Sequence, residues 1–500
     1  MNPSRLMFVI LIVLVAITGC TAVTMSTPAP PPTPTVPAVG DPSLYGLDLV
    51  SGHEKDWQLP DRPTRYDMTL TYDPTAPTLK GREDVLYYNH ETVPLNEIYF
   101  RLFANYPGSG GRITIDTLSV QATPVQPTYE TQNTAIKVPL AAPLAPGARV
   151  QIHLEYTVSV PKNSSGHYAD FTADPTVTTL PTVYPLIPAY DSKGWHIELP
   201  PPYGDLVYAD VSLYTVSLTA PGDMTVIASG STMGTTQNGD GTKTWKIVGA
   251  PMRDFDINLT NQLQVASTTV GKTTVNSYYE ALDAESGQNA LKYASDALQD
   301  FETRFGDYPY KEFDVIETPT TAGGIEYPGI VVLGRTMYKN PRQASYFEFA
   351  AAHETAHQWW YAMVGDDQVN HPWVDEALAQ YSALIYEEDV HGVTAEQTVL
   401  KDYIQNLYDS AKKAGHDAPV DQPVSAFSEQ DYAAIVYGKG PLFYDAIRMK
   451  MGDTAFFKFL RTYFQRFRYK IAMPEDILKT AEDVYGGSLQ SEYQQWITGP

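Results

Sequence analysis

The feature that most limits what this chain can fold into is His353-Glu354-x-x-His357, followed after eighteen intervening residues by Glu376. Residues four apart share one face of an α-helix, so the two histidines can present imidazoles to one point if this stretch is helical. Glu376 opens a second run, Trp373-Val374-Asp375-Glu376-Ala377, with Leu378, Tyr381, Leu384 and Ile385 forming its apolar side. Two such helices must pack together for Glu376 to reach the histidines. Two imidazole nitrogens and one carboxylate oxygen leave a fourth tetrahedral position open, which is how a catalytic zinc ion is held. The expected set is therefore His353, His357 and Glu376 around one Zn2+, with Glu354 beside it as general base.

The scaffold can be read from hydrophobic periodicity. Between residues 59 and 267 the period is two: Tyr66, Met68, Leu70 and Tyr72 alternate with polar residues, as do Val150, Ile152, Leu154, Tyr156 and Val158, and Tyr214, Val216 and Leu218. Such alternation predicts half-buried strands, hence a mostly antiparallel β domain, with Asn238-Gly239-Asp240-Gly241 as a hairpin turn. His90, His153, His167 and His196 are scattered through it without ligand spacing. From residue 268 to 500 a helical period takes over. Leu291, Ala294, Leu298, Phe301 and Phe305 mark an amphipathic helix stopped by Gly306, and Phe313 to Ile316 is a short strand. Phe456, Phe459, Leu460 and Tyr463 line another helix, and Pro474 starts one more. The fold class is α+β and multidomain, an N-terminal antiparallel β domain followed by a mostly helical domain.

Before these domains lies a different kind of segment. Arg5 precedes an apolar run from Leu6 to Ile17, too short to span a bilayer comfortably but of signal-peptide length. Ile17-Thr18-Gly19-Cys20 follows and resembles the lipobox of bacterial lipoproteins, whose cysteine becomes the lipidated N-terminus. The expectation is a signal peptide over 1–20, an extracytoplasmic address and a membrane anchor through lipid on Cys20. Residues 21–58 read as a tether, rich in Thr, Pro and Ala to about residue 45. Cys20 is the single cysteine, so intramolecular disulfides are impossible; the formal charge of -24 argues against nucleic-acid binding. Nothing in the sequence sets the oligomeric state.

Several motifs in order resemble the zinc aminopeptidases related to aminopeptidase N and leukotriene hydrolase, the gluzincin metallopeptidases. The histidine pair with its two glutamates is similar to that family's zinc signature. Thr321-Ala322-Gly323-Gly324-Ile325-Glu326-Tyr327-Pro328-Gly329 resembles its Gly-x-Met-Glu-Asn exopeptidase motif, and Tyr437-Gly438-Lys439-Gly440 its catalytic tyrosine motif. EIYFRLFANYP and FGDYPYKEFDVIE also look like family segments. The resemblance covers residues 60 to about 498 and implies a thermolysin-like catalytic domain and a peptide substrate. It further implies that Glu326, with Gly323 and Gly324, binds the substrate's α-amine and that Tyr437 stabilises the oxyanion.

Departures accompany the likeness. Ile325 and Tyr327 replace Met and Asn, and Asp375-Glu376-Ala377 replaces Asn-Glu-Gly. Relatives carry an amine-contacting Gln or Glu in the N-terminal domain, whereas LPTVYPLIPAYD has no acid or amide before Asp191. A large helical C-terminal domain has no room, so a more open site is expected. His371 is read as a non-ligand, Asp375 as a candidate to orient a zinc histidine, and Lys439 as either structural or catalytic. The expected activity is zinc-dependent removal of N-terminal residues from peptides. The alternatives are a cell-surface zinc endopeptidase and a non-catalytic peptide-binding lipoprotein.

Overall fold

In the computed structural model, which describes residues 42–340 and 344–499, the alternating stretches are strands. Thr64–Asp73, Arg149–Ser159 and Ser212–Pro221 belong to one eight-stranded sheet. Tyr66, Met68 and Leu70 are fully buried on its inner face, while Thr69 and Thr71 are exposed on the other. A three-stranded sheet built from Leu95–Arg101, Ala135–Leu144 and Thr128–Glu130 shares that core through Ile98, Phe100, Ile136 and Val138. The domain is not wholly antiparallel. Thr64–Asp73 and Ser212–Pro221 run parallel, pairing Tyr66 with Tyr214 and Leu70 with Leu218. A period of two is the same in either direction, so alternation could not reveal this. The Asn238–Gly241 turn joins Ser231–Gln237 to Thr242–Met252, with Asp240 Oδ1 accepting from the Thr242 amide at 3.0 Å.

Two expected boundaries move. Of the tether, residues 42–58 are folded: Pro42–Leu47 is a 3-10 helix, and Leu44, Tyr45 and Leu49 are buried. Asp48, fully buried, accepts from Ser231 Oγ at 2.7 Å and from the Ala250 amide at 3.1 Å. Composition read this stretch as a continuation of the Pro/Thr-rich segment, although its own apolar residues are enough to dock it. The division at 267 falls inside the strand Gln264–Val270, which pairs with Thr273–Tyr279 and so belongs to the second domain's sheet. The signal segment, Cys20 and residues 21–41 lie outside the described residues.

The second domain is built on a five-stranded sheet, in the order Gln264–Val270, Thr273–Tyr279, Glu312–Thr318, Ile330–Gly334, Gly324–Tyr327. Against it pack helix α1 (Ala284–Arg304), with Leu291, Ala294, Leu298 and Phe301 buried, and helix α2 (Ala344–Ala356). Helix α3 (Trp373–His391) packs on α2. Gly306 ends the α1 segment with φ +140°, and a Cβ there would sit 2.9 Å from the Phe464 ring. Helices Asp453–Phe467 and Pro474–Tyr485 complete the body, with the apolar faces expected. Among the described residues no helix is long and apolar enough to cross a membrane.

The domains are joined by polar contacts, one set of them fully buried. Arg253, fully buried, donates to the carbonyls of Ala209 and Tyr361 at 2.7 Å and of Lys470 at 3.2 Å. Glu198 accepts from His196 at 2.7 Å and from Asn370 Nδ2 of the second domain at 3.0 Å.

Candidate active site

His353 lies in the last turn of α2 and His357 in the turn that follows it. Their Nε2 atoms are 3.2 Å apart, and Glu376 Oε2, from the first turn of α3, lies 3.2 and 3.3 Å from them. His357 Nδ1 is 2.9 Å from the Trp360 carbonyl. A carbonyl can only accept, so Nδ1 carries a proton and Nε2 is the nitrogen that faces the cluster. Burial pushes Glu376 up, but the adjoining His353 and His357 imidazoles outweigh it and hold the carboxyl well below its usual range. Glu376 Oε2 is buried without a hydrogen-bond partner among the described residues. Two nitrogens and one ionised oxygen, converging without a settled donor, are the donor set zinc takes, and the residues present fit that ion.

Glu354 is nearly buried beside this cluster. Burial first, then the charge of Glu326, raises its pKa well above the usual carboxylate range, which suits a base that must also return a proton. Gly324 makes room for it: a Cβ at Gly324 would lie 2.4 Å from Glu354 Cδ. The backbone at Gly324 therefore lies directly against the Glu354 carboxyl. Gly323 also lines the cleft. Glu326, on the strand Gly324–Tyr327, is buried, and its Oε1 accepts from Gln368 Nε2 at 2.9 Å. The same Nε2 donates to Asp375 Oδ2 at 2.9 Å. Tyr437 sits in a π-helical segment, Ala433–Lys439, and donates to Glu376 Oε1 at 2.5 Å. A π-turn inserts an extra residue into a helix and re-aims the side chains that follow.

The remaining candidates resolve into supporting parts. Asp375 Oδ2 is 4.0 Å from His357 Nδ1, so the Trp360 carbonyl orients that ring and Asp375 holds Gln368. His371 pairs with Asp421 at 2.6 Å. Lys439, buried, donates to Asp417 Oδ1 and to the carbonyls of Ala418 and Gly499, which makes it structural.

Two residues of this site escaped the sequence reading, Gln368 and Asp205. Asp205 lies in a loop of the N-terminal domain and lines the cleft together with Glu326, Glu354 and Glu376. Burial, then the charges of Glu326 and Glu376, raise its pKa well above the usual range. The acid that the N-terminal domain brings to the cleft thus lies beyond Asp191, in Pro202-Tyr203-Gly204-Asp205. A Gly-Asp pair after three prolines marks a loop, the only signal there was. The cleft itself has a volume of about 650 Å³, within the range of ligand sites, and Tyr346 and Tyr403 line it as well.

Two histidines and a glutamate thus converge between two packed helices, and Asp205 of the β domain lines the same cleft as Glu376. Residues 289–496 match the model of the peptidase family M1 domain. The chain is 24% identical over 243 residues to aminopeptidase M1-B of Oryza sativa subsp. japonica, covering 46% of this chain and 28% of that protein. It is 24% identical over 205 residues to aminopeptidase N of Streptomyces lividans, covering 38% and 23%. The matched stretch thus spans about a quarter of these relatives' length. Among solved structures, the M1 zinc metallopeptidase from Deinococcus radiodurans superposes with a TM-score of 0.64 at 21% identity, over 87% of this chain and 94% of that one. A mutant of that enzyme bound to a Tyr-Ser-Ala substrate gives 0.62 at 21% identity, over 88% and 95%. This likeness shows that the two-domain fold is shared.

Proposed function

We propose that this chain is a zinc-dependent aminopeptidase. The observation that carries the reading is the convergence of His353, His357 and Glu376 in one cleft with a raised Glu354 and with Glu326 and Asp205. His353, His357 and Glu376 would hold the ion. Zinc, when bound, supplies Lewis acidity to a water and to the scissile carbonyl.

Glu354 takes the proton of the attacking water as the C–O bond forms and delivers it to the departing amine as the C–N bond breaks. Tyr437 transfers its hydrogen bond from Glu376 to the carbonyl oxygen as negative charge develops there. Glu326 and Asp205 bind the substrate's α-ammonium from two domains, fixing cleavage after the first residue. Gln368 holds Glu326 in place, so the ammonium meets a carboxylate already oriented. Together these acids favour a free N-terminus and disfavour a blocked one.

Mass spectrometry of products from free and N-acetylated copies of one peptide, with and without chelator, tests the reading. The expected result is single residues released from the free peptide alone, and nothing with chelator. Equal cleavage of both peptides refutes the aminopeptidase assignment in favour of an endopeptidase, and no cleavage of either by zinc-loaded protein favours a binding role.

The signal segment supports an extracytoplasmic protein anchored by lipid on Cys20. Mass analysis of the N-terminal peptide from membranes tests this, and an unmodified Cys20 refutes it.

A further inference from the structure

A second cavity shares Asp205 and Glu326 with the catalytic cleft and extends between the two domains. Its walls are largely aromatic, from Phe103, Tyr106, Phe171, Tyr327 and Tyr361. Among the described residues, no lysine or arginine lines it, whereas Asp170 and Asp254 do. Asp170 is already partnered, by Tyr327 Oη at 3.2 Å and His167 Nδ1 at 3.4 Å.

Asp254 is different. It is fully buried, its Oδ2 accepts from Tyr361 Oη at 2.9 Å and Thr182 Oγ1 at 3.3 Å, and its Oδ1 has no hydrogen-bond partner among the described residues. The adjacent Arg253 directs its nitrogens to backbone carbonyls. Tyr361 is held at φ +127°, a conformation L-residues rarely adopt, and strain of this kind persists where the surroundings enforce it. An unpaired buried carboxyl oxygen is costly unless a cation or donor meets it.

We propose that this cavity receives the side chain of the substrate's first residue and selects a basic one, lysine or arginine, whose charged head pairs with Asp254. The proposal rests on the aminopeptidase reading, because Glu326 and Asp205 must hold the α-ammonium at the mouth. Both residues also line this cavity, so it opens beside the position they give the first residue. Its aromatic walls suit the methylene stem of a basic residue and attract its charge. The volume, about 60 Å³, is room for roughly four to six waters, which fits a slender chain and excludes an indole.

The test compares lysyl and norleucyl amides of one reporter amine on the zinc-loaded protein, since norleucine keeps the stem and lacks the charge. The lysyl amide should be favoured about 30-fold or more in kcat/KM, and Asp254→Asn should narrow that ratio to about threefold or less. L-Lysine should also raise Tm of the unmutated protein more than L-norleucine does, a readout that needs neither turnover nor a folded variant. Hydrolysis of both amides at similar rates, or an unchanged ratio in Asp254→Asn, overturns the cavity proposal and leaves the aminopeptidase standing. Hydrolysis of neither amide, with blocked peptides cleaved, overturns the aminopeptidase reading and the cavity proposal with it.

Discussion

Removing one oxygen atom from Tyr437 separates two roles that share a single hydroxyl. In this structure the hydroxyl donates to Glu376 Oε1 at 2.5 Å, and its ring centroid is 6.0 Å from that of His353. Tyr437→Phe leaves the ring and its packing on Tyr432 in place. In the ground state the loss is one hydrogen bond to a charged ligand, about 1.5–3 kcal/mol, expressed as a metal affinity weakened by about 10–100-fold. In the transition state the loss is an oxyanion donor, about 2.7–4 kcal/mol, or 10²–10³ in kcat. Zinc titration with a free-amine peptide amide separates the two. At saturating zinc, kcat should stay down by about 10²–10³ while KM changes by about threefold or less. A kcat that recovers fully as zinc is raised would show that the hydroxyl only steadies Glu376, and would refute its role toward the oxyanion.

Other substitutions probe the remaining parts. Glu354→Gln should retain one zinc per chain by elemental analysis while kcat falls about 10²–10⁴-fold; retained turnover removes Glu354 as the base. Asp205→Asn should raise KM for free-amine substrates about tenfold, because one of two carboxylates facing the ammonium loses its charge; an unchanged KM removes Asp205 from the amine site. Stability should report the His196–Glu198 link. Burial pushes His196 down, but hydrogen bonds with Glu198 and Asp191 outweigh it and raise the ring to about 9, while Glu198, half-buried, is held by His196 at about 2. A raised histidine stabilises fully below its ordinary 6.5 and loses that contribution as pH rises through about 9; a lowered carboxyl contributes above 4.5 and loses it as pH falls through about 2. His196→Gln should therefore lower stability most between pH 4.5 and 6.5, by about 1 kcal/mol once solvent screening is allowed for. Equal loss above pH 9 refutes the charge argument.

The chain's periodicities determined a great deal. Alternation at Tyr66, Met68 and Leu70 and helical spacing at Leu291, Ala294 and Leu298 are local consequences of burying one face, so they could be read directly. The four-residue spacing of His353 and His357 likewise placed both imidazoles on one side, because helix geometry converts sequence distance into spatial distance. Glu376 and Tyr437 were found through motif order, which stands in for a packing that spacing alone does not describe.

What only the tertiary structure decided lies where distant segments meet. The parallel pairing of Thr64–Asp73 with Ser212–Pro221 depends on topology, to which a period of two is blind. Gln368 reaches Glu326 because a loop after α2 passes the edge of the sheet, and no local pattern encodes that contact. Asp205 and Asp254 look like ordinary loop acids in the sequence. They acquire raised pKa values, to about 7 for Asp254, because folding buries them, among other acids in the case of Asp205. Burial and juxtaposition are properties of the assembled chain, and they bring Glu326, Glu354 and Asp205 into one cleft with His353 and Glu376 of the signature at 353–376.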